Sequence, residues 1–303
     1  MYLQHFGLRE LPFSLTPNTQ FFLNMASYHK AYNMLMVSLA NAEGFIKIVG
    51  EVGTGKTMLC RKVLNTLEDD KDNYVTAYIP NPVLSPKGLF LAFAEELNIE
   101  IDQDVGHHRL LKAITERLVD HSANGKQVVL FIDEAHAMPE QTLEALRLLT
   151  NIETEQVKLF QVVLFAQPEL DSLLSQPSLR QLRQRITFSF EIEALDRDGV
   201  ERYVVHRLAT AGYNGPFLFS KRALDLLYKT SSGIPRIINI LCHKSLMVAF
   251  GKGERSVQVD HIRSAAEDTE GVDMPRTNYM PAAMAFGCLV VGVGLVAFLG
   301  GFI

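Results

Sequence analysis

The sequence predicts an α/β protein in which a parallel sheet, covered by helices on both faces, is followed by a small all-helical domain and one apolar C-terminal segment. Three observations carry that prediction. Short β-rich runs alternate with helical segments up to about residue 195, the pattern turns purely helical from Asp196, and residues 282–303 hold no charge.

The strand-like runs are FIKIV from Phe45, YVTAYI from Tyr74, VVLFI from Val128, FQVVLFA from Phe160 and ITFSFEI from Ile186. Each is short, and most are near-continuously apolar, as strands buried between two helical layers are. Between them lie KTMLCRKVLNTL, KGLFLAFAEELNI, HRLLKAITERLVDHS and PEQTLEALRLLTNIE. Apolar residues recur there at three- and four-residue steps, which is the helical period. PNPVLSP breaks the chain between the second strand and its helix. Beyond Asp196 the helical stretches run from about Arg197 to Ala211, Ser220 to Thr230, Pro235 to Phe250 and Asp260 to Glu267. The expected division is therefore an α/β domain over 1–195, a helical domain over 196–269, a linker over 270–281 and an apolar span over 282–303.

The chain has 303 residues, 48% of them hydrophobic, enough for two modest domains with a sizeable core. A net charge of −5 without long charged blocks gives no electrostatic footprint for broad nucleic-acid binding. Cys60, Cys242 and Cys288 are far apart, which excludes a C-x-x-C zinc or disulfide framework and points to a reducing compartment. His107-His108 and Cys242-His243 lack metal-ligand spacing, and Cys60 reads as a small buried hydrophobe.

The opening MYLQHFGLRE shows no basic stretch followed by an apolar one, so no cleavable signal peptide is read there. At the other end, AAMAFGCLVVGVGLVAFLGGFI would extend roughly 33 Å as a helix, enough to cross a hydrocarbon core. Ala283/Gly287 and Ala297/Gly301 have the small-residue spacing that packs membrane helices. Arg263 and Arg276 precede the span and no Lys or Arg follows it, which places the bulk of the chain in the cytoplasm.

The chemistry starts at GEVGTGKT, Gly50 to Thr57, directly after the first strand. It fits G-x-x-x-x-G-K-[ST] in the strand–loop–helix context that the motif requires. A triphosphate carries several negative charges, and Gly50, Gly53 and Gly55 let backbone N–H groups converge on it without Cβ atoms in the way. The other loop positions are Glu51, Val52 and Thr54. Lys56 supplies a point charge for the outer phosphates, Thr57 a hydroxyl for Mg2+, and Thr57 and Met58 open a helix whose N-terminus favours the anion. A plain Gly-rich turn is the alternative.

VVLFIDEAHAM then ends an apolar strand in two acids. Asp133 is suited to the Mg2+ shell, and Glu134 to orienting and polarising the attacking water. Gln167 stands at the tip of the fourth strand. In a sheet of order 5-1-4-3-2 that strand lies between those carrying Lys56 and Asp133, so Gln167 would face the γ-phosphate. Arg185, and second to it Arg183, precede the fifth strand in LRQLRQRI; either is a candidate finger reaching a neighbouring subunit's phosphate, with a solvated helix end as the alternative. In GIPRIIN, Gly233 precedes a helix with Pro235 in its first turn, and Arg236 would face the nucleotide from the helical domain.

These motifs in this order, with the opening FGLRELPFSLTPNTQFF, resemble the P-loop AAA+ ATPases of the general secretion pathway A (ExeA) group over about residues 1–270. The resemblance implies a three-layer αβα core with a helical lid, ATP and Mg2+ as ligands, and a homo-oligomeric ring such as a hexamer. It further implies work at the bacterial inner membrane, on assembly proteins of a type IV (MSHA-like) pilus or a related secretion machine. Phe6, Pro12 and Phe13 would line the adenine pocket, although core packing accounts for them nearly as well. Two departures matter. Secretion members continue past the membrane into a peptidoglycan-binding domain that has no counterpart in this sequence, and Ala166 stands where the group usually has Gly. A DNA-associated ATPase of the transposition-regulator type and a nucleotide-dependent scaffold are the competing functions; acidic charge and the apolar span weigh against the first, Glu134 and the arginines against the second.

Overall fold

The computed structural model describes residues 2–16, 18–23, 25–102, 104–150 and 158–272. Its elements in chain order begin with α1 (Tyr2–Phe6), α2 (Ala26–Ala40), β1 (Phe45–Gly50), α3 (Lys56–Glu68), β2 (Tyr74–Ile79), α4 (Pro86–Glu96) and α5 (His107–Ala123). They continue with β3 (Gln127–Ile132), α6 (Glu140–Leu149), β4 (Phe160–Ala166), α7 (Glu169–Leu174), α8 (Arg180–Arg185) and β5 (Ile186–Ile192). A helical unit follows: α9 (Arg197–Thr210), α10 (Lys221–Ser231), α11 (Pro235–Gly251) and α12 (Val259–Glu267). The apolar segment 282–303 lies outside the described residues, and among those described no helix is long and apolar enough to cross a membrane.

The strands form one parallel sheet in the order β2-β3-β4-β1-β5, which is the order expected from the sequence. Val49 pairs with Ala166 and Ile132 with Leu164, so β1, β3 and β4 end along one edge of the sheet. The loops that follow them, carrying the Gly-rich segment, Asp133 and Gln167, therefore emerge side by side. Every residue of β1 and β4 is buried because both faces are covered. On one face Ile46, Ile48, Val163 and Phe165 pack with Leu35 of α2, Leu59 and Val63 of α3, and onward into the helical unit. On the other, Val162 and Leu164 meet Phe93 of α4, Ile114 of α5 and Leu146 of α6. Edge strand β5 leaves Phe188 39% exposed.

The helical unit starts where Asp196 caps α9, its side chain accepting from the Gly199 N–H at 2.6 Å. Ser220 caps α10 in the same way at 3.3 Å, and Pro235 occupies the first turn of α11. At the turn from α10 to α11, Gly233 has φ +73°, and a Cβ there would run into the Leu195 carbonyl. Only glycine fits that combination of backbone angle and contact. The Leu195 N–H donates to the Gly233 carbonyl at 2.9 Å, which ties the entry of the helical unit to the start of α11.

Residues 26–40 form α2, an element not expected from the sequence. Its buried Tyr28, Ala31, Leu35 and Leu39 fall at three- and four-residue steps and close the sheet face beside α3. The opening segment packs on the helical unit: the Tyr2 hydroxyl lies 2.9 Å from His243 Nδ1, and the Arg9 N–H donates to the Ala211 carbonyl at 2.8 Å.

Candidate functional site

The Gly-rich loop joins β1 to α3. Gly53 has φ +81°, and a Cβ on it would sit 2.6 Å from Arg236 Cβ. The Arg236 N–H donates to the Gly53 carbonyl at 3.2 Å, so the loop and the first turn of α11 touch at that residue. Thr54 is buried beneath the loop, its hydroxyl donating to the Glu51 carbonyl at 2.8 Å. The Tyr28 hydroxyl donates to the Thr54 carbonyl from α2.

Lys56 begins α3 and is only 5% exposed. Its ammonium donates to the Gly50 carbonyl at 2.8 Å and the Glu51 carbonyl at 3.0 Å. Burial pushes the ammonium's pKa down, while the Glu134 and Asp133 carboxylates oppose that. Thr57 donates to Asp133 Oδ2 at 2.8 Å, and Asp133 Oδ1 accepts the Glu134 N–H at 2.9 Å. Burial raises the Asp133 pKa against both hydrogen bonds and against Lys56. Among the described residues no cluster of three or more His, Cys, Asp or Glu side chains is arranged for a metal. The Thr57–Asp133 oxygen pair fits a hard cation that keeps most of its shell as water and phosphate oxygen.

Glu134 adopts φ +51°, an αL turn immediately after β3. Its Oε2 accepts from Gln167 Nε2 at 3.2 Å and lies 3.4 Å from His136 Nε2. The Gln167 N–H donates to His136 Nδ1 at 3.3 Å. Glu134, His136 and Gln167 thus form a closed triangle across the tips of β3 and β4.

All of this surrounds one cavity of about 270 Å³, lined by Val52, Gly53, Gly55, Lys56, Thr57 and Met58 from the loop and α3, by Glu134 and Gln167 from the strand tips, and by Arg236 from the helical unit. Gly50, Glu51 and Asp133 stand just behind, acting through the contacts given above. The far wall differs from expectation. Phe6 and Phe13 are 5% and 2% exposed in the hydrophobic core, Phe13 edge-on to Phe219, and Pro12 only offers its carbonyl to Arg207. The aromatic wall comes instead from Phe21 and Phe22, later in the same segment, with Tyr203, Arg207 and Asn239 opposite. Core burial won for Phe6 and Phe13 because the opening segment docks on the helical unit before it reaches the cavity.

Arg185 ends α8 and donates from Nη1 to Thr150 at 2.8 Å, and Arg183 is exposed. Ile186 pairs with Phe45, so both arginines lie at the opposite end of the sheet from Gly50, roughly 16 Å away along β1. Neither lines this chain's own cavity.

Several contributors were missed in the sequence. Tyr28 sits on the apolar stripe of α2, where its spacing was readable. Arg207 interrupts the buried stripe Val200, Tyr203, Val204, Leu208 of α9; it donates to the Pro12 and Ser14 carbonyls and lies 4.5 Å over the Phe21 ring. A charge on a buried stripe was its signal. His136, two residues past Glu134, had none beyond proximity.

The family described as AAA domain matches residues 40–174. General secretion pathway protein A of Aeromonas hydrophila is 40% identical over 97% of this chain. The chain spans about half the length of that relative, 53%. Among solved structures, the Cdc6p of Pyrobaculum aerophilum shares the fold at a TM-score of 0.66 and 16% identity, over 85% of this chain and 70% of that one. The RuvB Holliday junction branch migration motor of Thermotoga maritima does so at 0.54 and 19%, over 82% and 70%. At such identities these two speak for the fold alone.

Proposed function

Since the chain belongs to the AAA+ ATPases related to general secretion pathway protein A, we propose that it hydrolyses ATP with Mg2+ to drive or regulate assembly of a type IV (MSHA-like) pilus or a related secretion machine at the bacterial inner membrane. The observation that carries the chemical part is convergence: Lys56, Thr57, Glu134 and Gln167 from the α/β domain and Arg236 from the helical unit line one cavity, with Asp133 directly behind Thr57.

Lys56 and the loop N–H groups hold the phosphates. Thr57 and Asp133 would hold Mg2+, which when bound would supply positive charge beside the phosphoryl oxygens. Glu134 orients and polarises the attacking water, Gln167 contacts the γ-phosphate, and Arg236 makes lid closure depend on it. Arg185, with Arg183 behind it, serves the site of a neighbouring subunit, so that turnover depends on assembly into an oligomeric ring. The uncharged 22 residues of 282–303 supply a single-pass anchor that leaves the ATPase in the cytoplasm.

Lys56→Ala is expected to lose binding of a fluorescent ATP analogue, and Glu134→Gln to bind it while turnover stops. Tight binding by the first variant refutes the phosphate assignment. Deleting 282–303 should move the protein from the membrane to the soluble fraction. Full-length Glu134→Gln captured from native membranes with ATP should bring down pilus or secretion assembly proteins. Recovery of DNA in their place, with salt-sensitive shifts of a DNA probe, supports the transposition-regulator reading instead.

A further inference from the structure

The triangle at the strand tips holds one member with no role so far. His136 is half-buried in the short turn after β3 and does not line the cavity, yet both its ring nitrogens face the hydrolytic machinery. Nδ1 accepts the Gln167 backbone N–H at 3.3 Å, so the ring proton resides on Nε2. That Nε2–H faces Glu134 Oε2 at 3.4 Å, the same oxygen that accepts from Gln167 Nε2 at 3.2 Å.

The two groups beside that oxygen are not equivalent: the Gln167 amide donates a hydrogen bond to it, and the imidazole stands at ion-pair distance. The Gln167 amide lines the cavity, so a terminal phosphate competes for it. The imidazole faces no such competition, because it is pinned from behind by a backbone N–H at the end of β4. We propose that His136 is a positioning residue for hydrolysis: its Nε2 proton keeps the Glu134 carboxylate aimed when the Gln167 amide turns to phosphate. One oxygen of the carboxylate stays anchored and the other faces water. His136 touches neither nucleotide nor water, and acts through Glu134. This rests on the assignment of Glu134 made above.

Isosteric substitution separates the two ring contacts. Glutamine places an N–H near the position of Nε2 but gives up the acceptor; asparagine keeps an acceptor near Nδ1 but cannot reach Glu134. In the full-length protein, His136→Ala should lower kcat by ~10–100-fold with KM, and Kd for a fluorescent ATP analogue, within about two-fold of the parent. His136→Gln should recover to within about three-fold of the parent, and His136→Asn should stay near the alanine level. A glutamine variant no faster than the asparagine one overturns the proposal, as does a loss that appears in KM or Kd, or an alanine variant with parental kcat. The glutamine–asparagine comparison decides even if the alanine variant folds poorly. Glu134→Gln is measured alongside. If it turns over normally, the assignment of Glu134 fails and takes this proposal with it; if it is inactive while His136→Ala keeps the parental kcat, only the role of His136 is lost.

Discussion

Gly233 offers a quantitative test of how the two domains are joined. Replacing it with alanine adds a left-handed-backbone penalty of about 1–2 kcal/mol at φ +73°. The new Cβ also collides with the Leu195 carbonyl, a backbone atom that yields only by moving the chain. That movement pulls apart the 2.9 Å hydrogen bond from the Leu195 N–H to the Gly233 carbonyl, a further loss of about 1 kcal/mol. Together these give about 2–3 kcal/mol, or roughly 4–12 °C in Tm for a domain of 150–250 residues. Thermal unfolding of the parent, Gly233→Ala and Gly233→Asn measures it. Asparagine tolerates positive φ but brings the same Cβ, so it should lose at least the collision part, ~1 kcal/mol or more. A Tm within about 1 °C of the parent for both variants refutes the close-approach account. If asparagine alone is harmless, backbone angle is the whole effect. Hydrolysis should fall as well, because Arg236 sits three residues on and is placed by the same turn.

Further tests address the site itself. Asp133→Asn should stop Mg2+-dependent hydrolysis yet raise thermal stability at neutral pH. Burial raises the Asp133 pKa above its ordinary 3.8, so the folded state is penalised wherever the carboxylate is ionised. The stability gain of the asparagine variant is therefore expected above the folded pKa and should vanish as pH falls below about 4; a gain that persists in acid contradicts this. Tyr28→Phe leaves the Thr54 carbonyl without its partner, which should cost about 1–3 kcal/mol in chemical denaturation and weaken ATP-analogue binding. Unchanged affinity would mean that α2 does not support the loop. Arg185→Ala should slow hydrolysis while leaving nucleotide binding intact. Mixing it with Glu134→Gln should restore part of the activity, since one subunit supplies the arginine and the other the acid; no restoration on mixing rules out a shared site.

The sequence by itself determined the strands, their alternation with helices and the phosphate loop, because these depend on local pattern. FIKIV, VVLFI and FQVVLFA are strands for lack of any solvent-facing side, and Gly53 and Lys56 belong to a loop whose spacing is fixed by the size of a phosphate chain. The acid pair was legible for a related reason: Asp133 and Glu134 end an apolar strand that follows a phosphate-loop motif, the place where a metal and a water must be held. The sheet order is different: local pattern does not supply it, and the expectation that Gln167 stands between Lys56 and Asp133 rested on the order 5-1-4-3-2 that the strand pairing then shows.

Only the tertiary structure decided which parts of the opening segment meet the cavity. Phe6, Phe13, Phe21 and Phe22 are alike as sequence; Phe6, Phe13 and Phe21 are all buried in the core, Phe13 edge-on to Phe219, yet of the four only Phe21 and the partly buried Phe22 border the cavity. It alone brought Tyr28 beneath the loop and joined His136 to Gln167 across 31 positions of chain. Such contacts are set by how elements stack and not by spacing along the chain, since burial selects one face of a helix while the partner on the other side is supplied from far away.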